Sequence, residues 1–544
     1  MCGIFSFLST SLSRDDYKAI YDNAFMLGAA RGPEYHSLTY EVPGALLVGF
    51  HRLAINGLDE GSHQPLRTEG LGLVCNGEIY NYRQLRKQFD LPTTTHSDCE
   101  VILHLYAKLG FSKMVSLLDG VFALNIWDMR GTEPILYAAR DPFGVRPMFE
   151  FRTPDGVGFS SELKMVAGLE KVLGVTAHAE QFAPGTWASF RLSQGGWEEV
   201  SRERWHRLPE AEQIHSSEQA MDSVRRTLIA AVQKRIDTSD RPIACLLSGG
   251  LDSSLITALV CRLYCPDDPG RLETYSIGMP GSVDLKYARM VADHLGTTHT
   301  EVIVSEADFL AAIPDVAGAI ESFDTTTVRA SVGNYLVSKY ISEHSEAKVI
   351  FNGDGSDEVT GGYMYFHCAP TPDAFDAECR RLLGDIHFFD VLRSDRTIAS
   401  QGLEARTPFL DKEFVRTYLT IARTVRCHAI HGQCEKWLLR SAFADLGVLP
   451  KAVLWRTKEA FSDGVSSTKR AWFQVIQDTV QDSEIVTSPH MRPATAEQRH
   501  YRALFQRVYG EHHATTLPYF WMPRFVQATD ASARTLDVYK RRQQ

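Results

Sequence analysis

No apolar run in the 544 residues approaches the roughly 18 needed for a membrane helix, which argues against a helical membrane span. Cysteine is sparse. The ten residues follow no regular framework and form no CxxC pair, which excludes a disulfide scaffold and a zinc knuckle and fits reduced thiols in a cytoplasmic protein. Clustered basic charge is also missing. Lys and Arg are dispersed, apart from the short tail Lys540-Arg541-Arg542, and the net charge is -10 with a pI of about 6.0. No nucleic-acid or polyanion partner is therefore expected. The N-terminus has no basic n-region ahead of an apolar stretch, so secretion is not expected. Internal repeats and low-complexity segments are absent. So is GxxxxGK[ST], which excludes the phosphate loop of kinases and GTPases.

What is present is ordinary globular composition, 44% hydrophobic and 23% charged, enough for two or three cores. Residues 2–192 read as an α+β domain. Short apolar runs (Ala45–Phe50, Gly72–Cys75, Val121–Trp127, Ile135–Ala139) alternate with turns, and helices are predicted over Arg14–Ala30 and Asp98–Leu109. Residues 193–218 are polar and mixed, the composition of a linker. From 219 to 544 the pattern changes. Met221, Val224, Leu228, Val232 and Ile236 fall at helical spacing. Ile243–Leu247, Thr274–Ile277 and Lys348–Phe351 read as buried strands alternating with helices, which predicts a parallel α/β sheet, and beyond about 375 the chain is mostly helical.

Two local features carry chemistry. Cys2 follows the initiator methionine, and removal of Met1 would leave one residue bearing both a thiol and an α-amine able to act as its base. Ser248-Gly249-Gly250-Leu251-Asp252-Ser253-Ser254 lies between a predicted strand and a helix. Its glycines allow close approach of backbone to a polyphosphate, and its hydroxyls and helix N-terminal N–H groups can bind one. This S-G-G-x-D-S-[ST] pattern is that of enzymes cleaving ATP between the α and β phosphates, with Asp252 placed to hold Mg²⁺.

Met-Cys-Gly-Ile at the start and this loop at the middle resemble glutamine-hydrolysing asparagine synthetases. The resemblance covers nearly the whole chain through Arg31-Gly32-Pro33, Phe50 to Ala54, Cys75 to Asn81, Ser97 to Glu100, Arg140 to Pro147, Thr326 to Ser331, Gly355 to Glu358, Gly402 to Arg406, Pro408 to Asp411 and Lys458 to Gly464. It implies a class II glutamine amidotransferase of the N-terminal-nucleophile fold, with two antiparallel sheets between helices, followed by a pyrophosphate-loop synthetase domain. In the first domain it implies Cys2 as nucleophile, Asn76 and Gly77 as oxyanion hole, Arg52 on the glutamine carboxylate, Glu78 and Asp98 on its ammonium, and Leu53, Ala54, Ile55 and Asn56 lining the pocket. In the second it implies ATP contacts from Leu247, Ser248, Gly249, Gly250, Asp252, Ser253, Ile277, Asn352, Gly353 and Lys458, Mg²⁺ on Asp252 and Asp357, and an aspartate pocket of Thr326, Thr327 and Arg329. Asp354 and Lys458 would take part in adenylate formation. The resemblance also implies an ammonia tunnel and a homodimer. Taken alone, Asn76-Gly77 is an ordinary hairpin signal.

Three positions depart from the family pattern. Ala30 replaces the usual His, Glu34 the usual Asp, and Asn352-Gly353-Asp354-Gly355 stands where most members read Ser-Gly-Glu-Gly. Asp354 keeps a carboxylate but loses one methylene of reach, and a misplacement of about 1 Å can cost ~10²-fold in rate. Two other readings stay open on the residues: an amide-forming synthetase acting on another carboxylate, or a weakly active binding or regulatory homologue. Thr326-Thr327-Val328-Arg329 with Cys2 oppose the former, and joint retention of Cys2, Asp252, Asp357 and Lys458 opposes the latter.

Overall fold

The computed structural model describes all residues except 14, 43, 467–469, 486–489 and 544, and the side chains of 541–543. The opening of the helix predicted from Arg14, and the arginine side chains of the basic tail, therefore lie outside the described residues.

The N-terminal domain is built on β1 (Gly3–Ser9), β2 (Tyr35–Val42), β3 (Leu46–Arg52), β4 (Leu66–Thr68), β5 (Leu71–Ile79), β6 (Gly120–Asp128), β7 (Ile135–Arg140), β8 (Phe149–Thr153), β9 (Gly156–Ser160), β10 (His178–Gln181), β11 (Thr186–Ser193) and β12 (Gly196–Arg204). They form two six-stranded antiparallel sheets, ordered β10-β8-β9-β1-β3-β2 and β12-β11-β7-β6-β5-β4. β1 is buried along its whole length because both faces are covered. Ile4 and Leu8 face the second sheet, packing with Val74, Ala123 and Phe190. Phe5 and Phe7 face the opposite way, against the helix Leu163–Leu173. The outer face of the second sheet is covered by the helices Glu100–Leu109 and Phe111–Leu117. The result is the four-layer α/β/β/α sandwich expected for this half.

The predicted linker starts too early. Its first part, polar and Glu/Arg-rich, pairs with β11 as edge strand β12, where one face meets solvent and charged side chains are tolerated. Only residues after Arg204 run free of the sheet, up to the helix Ser217–Asp237, which Ser216 caps. The predicted helix from Arg14 is broken into the helix Asp16–Asn23 and a 3-10 turn, Phe25–Arg31.

The second half contains β13 (Ile243–Leu246), β14 (Glu273–Gly278), β15 (Thr298–Ile303), β16 (Val349–Phe351) and β17 (Glu404–Arg406), all parallel and ordered β15-β14-β13-β16-β17. The chain winds outward one way from β13 to β15, then returns to β13's other side. This reversal opens a crevice at the carboxyl ends of β13 and β16, where ligands bind in such sheets. The predicted strands lie within one or two residues of those observed. No helix among the described residues is long and apolar enough to cross a membrane.

Candidate active sites

The first site lies where β1, β3 and β5 meet the second half of the chain. The β1–β3 ladder pairs Gly3 with His51, so Cys2 sits beside Arg52. The Cys2 thiol reaches the Leu53 carbonyl at 3.5 Å. Burial pushes that thiol up to about 11 while Met1 is in place. Met1 is itself fully buried, and its ammonium donates to the Leu403 carbonyl at 3.0 Å. Burial lowers this ammonium to about 5.

Asn76 and Gly77 are not a hairpin turn. They sit mid-strand in β5, opposite Ala123 and Phe122. Asn76 is completely buried, and neither its amide nitrogen nor its oxygen finds a protein partner. A buried, unpaired amide is costly unless something else fills it. An amide left free in this way can donate to an oxyanion formed beside it. A side chain at Gly77 would meet the Val121 carbonyl at 2.3 Å.

The buried segment Leu53, Ala54, Ile55, Asn56 is held from the other half of the molecule. Asn56 donates to the Thr238 carbonyl at 3.0 Å, Asp240 N–H to the Ile55 carbonyl at 3.0 Å, and Arg241 Nε to the Ala54 carbonyl at 2.8 Å. Glu34 accepts the Ala54 N–H at 2.6 Å and pairs with Arg241 at 2.6 Å, so this side chain bridges the two halves. Arg52 turns its guanidinium onto the Gly57 and Asp59 carbonyls. Burial raises Glu78 well above the usual carboxylate range, and the neighbouring Glu404 adds to the rise. Asn56 donates to Glu78, and Arg406 lies 3.3 Å from it. Burial also raises Asp98, to about 6, although it accepts the Ile79 N–H at 2.6 Å.

The second site fills the crevice at the β13/β16 reversal. Gly249 adopts φ +73, and a Cβ there would meet Ala288 N at 2.4 Å, so the turn requires glycine. Ser248 Oγ and Ser253 Oγ lie 2.9 Å apart across the loop, and Gly250 N–H donates to Ser248 Oγ at 3.3 Å. Gly250 leads into the helix Leu251–Tyr264, which carries Asp252 in its first turn. Leu247, Ile277, Asn352, Gly353 and Lys458 line the same cavity. Ser356 donates to Asp252 Oδ1 at 2.7 Å. Lys458 lies 2.6 Å from Asp357 and 3.9 Å from Asp252.

Lys436 is the residue that sequence reasoning missed. Its ammonium stands 2.5 Å from both Asp252 and Asp357. It is almost wholly buried, its backbone is left-handed at φ +57, and its stem passes where a side chain at Gly362 would sit, 1.9 Å from Lys436 Cε. No local pattern marks it, since it lies 184 positions from Asp252. Burial opposes ionisation of Asp357, but Lys436 and Lys458 outweigh it and hold that carboxyl well below its ordinary value. Two carboxylates converging on a polyphosphate loop, one oriented by a hydroxyl, suit a hard divalent cation.

Asp354 also lines the cavity. Its Oδ1 lies 3.1 Å from Arg393, which pairs with Asp390 too. Burial raises Asp354 to about 6 against the pull of Arg393. Asn352 donates to Ser394 Oγ at 2.7 Å.

The expected aspartate pocket is only partly assembled. Thr326 and Thr327 line the cavity, and Thr326 Oγ1 is buried without a partner. Thr327 donates its N–H and hydroxyl to Asp324. Arg329 does not join them. The cavity-facing positions of the helix Thr325–His344 follow the stripe Thr327, Ala330, Asn334, Val337, which leaves Arg329 on another face. There it forms two-point pairs with Glu497, at 2.6 and 2.8 Å, and with Asp530, at 2.7 and 2.9 Å. Its role here is to anchor the C-terminal segment. The cationic groups in the cavity wall are instead Arg393 and Arg456, with Lys436, Arg440 and Lys458.

Comparison with known proteins matches both halves of the chain. Residues 1–230 match the glutamine amidotransferase domain model, and residues 223–372 and 368–533 match the asparagine synthase model. The chain is 40% identical to the asparagine synthetase [glutamine-hydrolyzing] of Gallus gallus over 571 aligned residues, covering 99% of each chain. It is 39% identical to that of Homo sapiens, with the same coverage of both. A solved glutamine phosphoribosylpyrophosphate amidotransferase from B. subtilis superposes with a TM-score of 0.31 at 20% identity, over 45% of this chain and 60% of that one, too little to carry an argument. Matched along nearly its whole length, in both halves and in order, the chain belongs to the glutamine-hydrolysing asparagine synthetase family.

Proposed function

We propose that the protein makes L-asparagine from L-aspartate, ATP and glutamine, releasing glutamate, AMP and pyrophosphate. Once Met1 is removed, the Cys2 amine takes the proton from its thiol, and the sulfur attacks the glutamine amide carbon. The oxyanion forms against the Asn76 amide and the Gly77 N–H. The C–N bond breaks, ammonia leaves, and water later releases glutamate from the thioester. Glu78 and Asp98 hold the substrate ammonium. Arg52 meets the substrate carboxylate after exchanging its carbonyl partners.

In the second site the aspartate β-carboxylate attacks the α-phosphorus of ATP, and pyrophosphate departs. Asp252 and Asp357 would hold Mg²⁺, which supplies positive charge against the leaving pyrophosphate. Lys436 and Lys458 keep Asp357 ionised and add charge of their own beside both carboxylates. Ammonia then displaces AMP from the aspartyl adenylate. Its route starts at the buried interface where Met1 meets Leu403, just ahead of β17, and runs along β16 to the carboxyl end beyond which Asp354 lies.

One observation carries this reading. A free buried amide beside Cys2 and a two-carboxylate, two-lysine cluster on a phosphate loop occur in one chain, on opposite sides of one buried interface. The test is a coupled assay with aspartate, glutamine, ATP and Mg²⁺. Equal amounts of asparagine, AMP and pyrophosphate are expected. ADP formation, or adenylation of an acid other than aspartate, overturns it. The family likeness extends the proposal to a cytoplasmic homodimer.

A further inference from the structure

Outside the two active sites, among the described residues, Glu170, His512 and His513 bring their ligating atoms within 4.8 Å of one another. Glu170 lies in the helix Leu163–Leu173 on the outer face of the N-terminal domain, and the histidines lie in the 3-10 helix Glu511–Thr516. His512 Nε2 is 2.9 Å from Glu170 Oε1, and His513 Nε2 is 3.1 Å from Oε2. The two rings are 4.0 Å apart, centroid to centroid. The His513 side chain has no exposure, whereas that of His512 is 43% exposed. Ala177 N–H donates to Glu170 Oε1 at 2.6 Å and fixes the carboxylate.

Two imidazoles thus converge on the two oxygens of one carboxylate, and one of the rings is wholly buried. His513 Nδ1 is buried and takes no protein hydrogen bond, so nothing locks its ring with the proton on Nε2. A divalent cation suits this set, because it binds imidazole through a ring-nitrogen lone pair and answers the carboxylate with positive charge. Two histidines and a glutamate are a known three-ligand set for Zn²⁺, with a fourth position left for water. Bonds of about 2.0–2.1 Å in a tetrahedral site put ligand atoms roughly 3.3 Å apart, and the three ligand atoms here lie within 4.8 Å of one another, so side-chain shifts of at most about 1.5 Å close the set. Imidazole donors favour zinc, copper or nickel over magnesium or calcium. The exposed edge of His512 supplies an entry path, and Ala177 N–H the outer contact such carboxylates use.

We propose that Glu170, His512 and His513 bind one divalent transition-metal ion, Zn²⁺ by ligand set, which clips the N-terminal domain to the C-terminal segment. That segment leads on to Trp521, whose N–H donates to Asp324 at 2.8 Å and whose ring borders the synthetase cavity.

The full-length protein is stripped with chelator, incubated with ZnCl₂ and freed of excess ion, and its bound metal is measured beside His512→Ala and Glu170→Gln. Wild type should retain about one equivalent more than either variant, with affinity in the variants falling by more than ~100-fold, the upper end for losing even an outer-shell partner. Co²⁺ should give tetrahedral visible absorption in wild type and not in His512→Ala. Ammonia-dependent synthesis should be unchanged in His512→Ala, which shows the fold is intact. Equal metal retention by wild type and a folded His512→Ala overturns the proposal, as does wild type that retains none.

Discussion

The two active sites solve opposite problems. The Cys2 site is built on strands and strand ends and leaves its central donor uncommitted: the Asn76 amide is buried and unpaired. The site around Asp252 is made of loops at strand ends and is saturated with ion pairs before any substrate arrives. The difference follows from the chemistry each supports. An acyl transfer develops one negative charge on one oxygen, so a few fixed neutral donors suffice. Phosphoryl chemistry handles several charges at once, so the site must hold fixed cations and the carboxylates that position a metal.

The largest effects should come from cutting each site at its centre. Cys2→Ala should abolish glutamine-dependent synthesis and leave ammonia-dependent synthesis near wild type. Asp252→Asn should do the reverse, sparing glutaminase activity while AMP release stops. Loss of both activities in either variant, with unchanged circular dichroism, would break the idea of two separable sites.

Next come the supporting groups, where stability separates the two sites as clearly as rate. Asn76→Ala should lower glutaminase turnover by ~10²–10³-fold, the usual cost of one oxyanion donor. It should leave the melting temperature almost unmoved, because no protein hydrogen bond is lost. Lys436→Met should lower synthesis at least as much. It should also destabilise the fold by about 1–3 kcal/mol, since it removes the 2.5 Å partner of both carboxylates and leaves Lys458 as the cation beside them. Arginine should not rescue it, because the stem runs through the space kept clear by Gly362. Equal thermal shifts in the two variants would contradict the contrast between a free site and a saturated one.

A smaller effect is expected from pH. Burial raises Asp98 to about 6, above the usual carboxylate value. A raised carboxyl is protonated below that value, so the proposed hold of Asp98 on the glutamine ammonium should be present above pH 6 and lost as pH falls through it. KM for glutamine should rise about tenfold for each unit below 6, while kcat changes less. A flat KM between pH 5 and 7 would show that Asp98 does not touch the substrate.

Legibility followed how local each determinant is. Strand and helix order in the second half could be read from alternation of apolar runs, and the phosphate loop is one contiguous motif. Cys2, Arg52 and Asn76 stand out only as an ordered set that resembles the family, because each taken singly is an ordinary terminal, surface or turn residue. The sequence misled where a role depends on which way a side chain turns. Arg329 sits one helical turn from Thr326, yet it faces Glu497 and Asp530, which lie far along the chain. Lys436 was invisible because its partners are Asp252 and Asp357, and nothing near it in sequence signals them. The polar stretch read as a linker became β12, since an edge strand has the same composition as a connection.

The smallest effect expected concerns the position where this chain departs most from its family. Asp354 takes the place of a glutamate, and the crevice around it is filled from the side by Arg393 and Asp390. Asp390 also accepts the Gly355 N–H at 3.1 Å, so the loop is pinned on both sides of Asp354. Asp354 lines the cavity, so a side chain longer by one methylene has that space to extend into. Asp354→Glu should therefore keep or modestly raise the rate of asparagine synthesis, by no more than a few-fold. Glutaminase activity should not change, because Asp354 belongs to the saturated site alone. A fall approaching the ~10²-fold cost of a 1 Å misplacement would mean that the Arg393–Asp390 arrangement has adapted to the shorter carboxylate. The second site would then be tuned as tightly as the first.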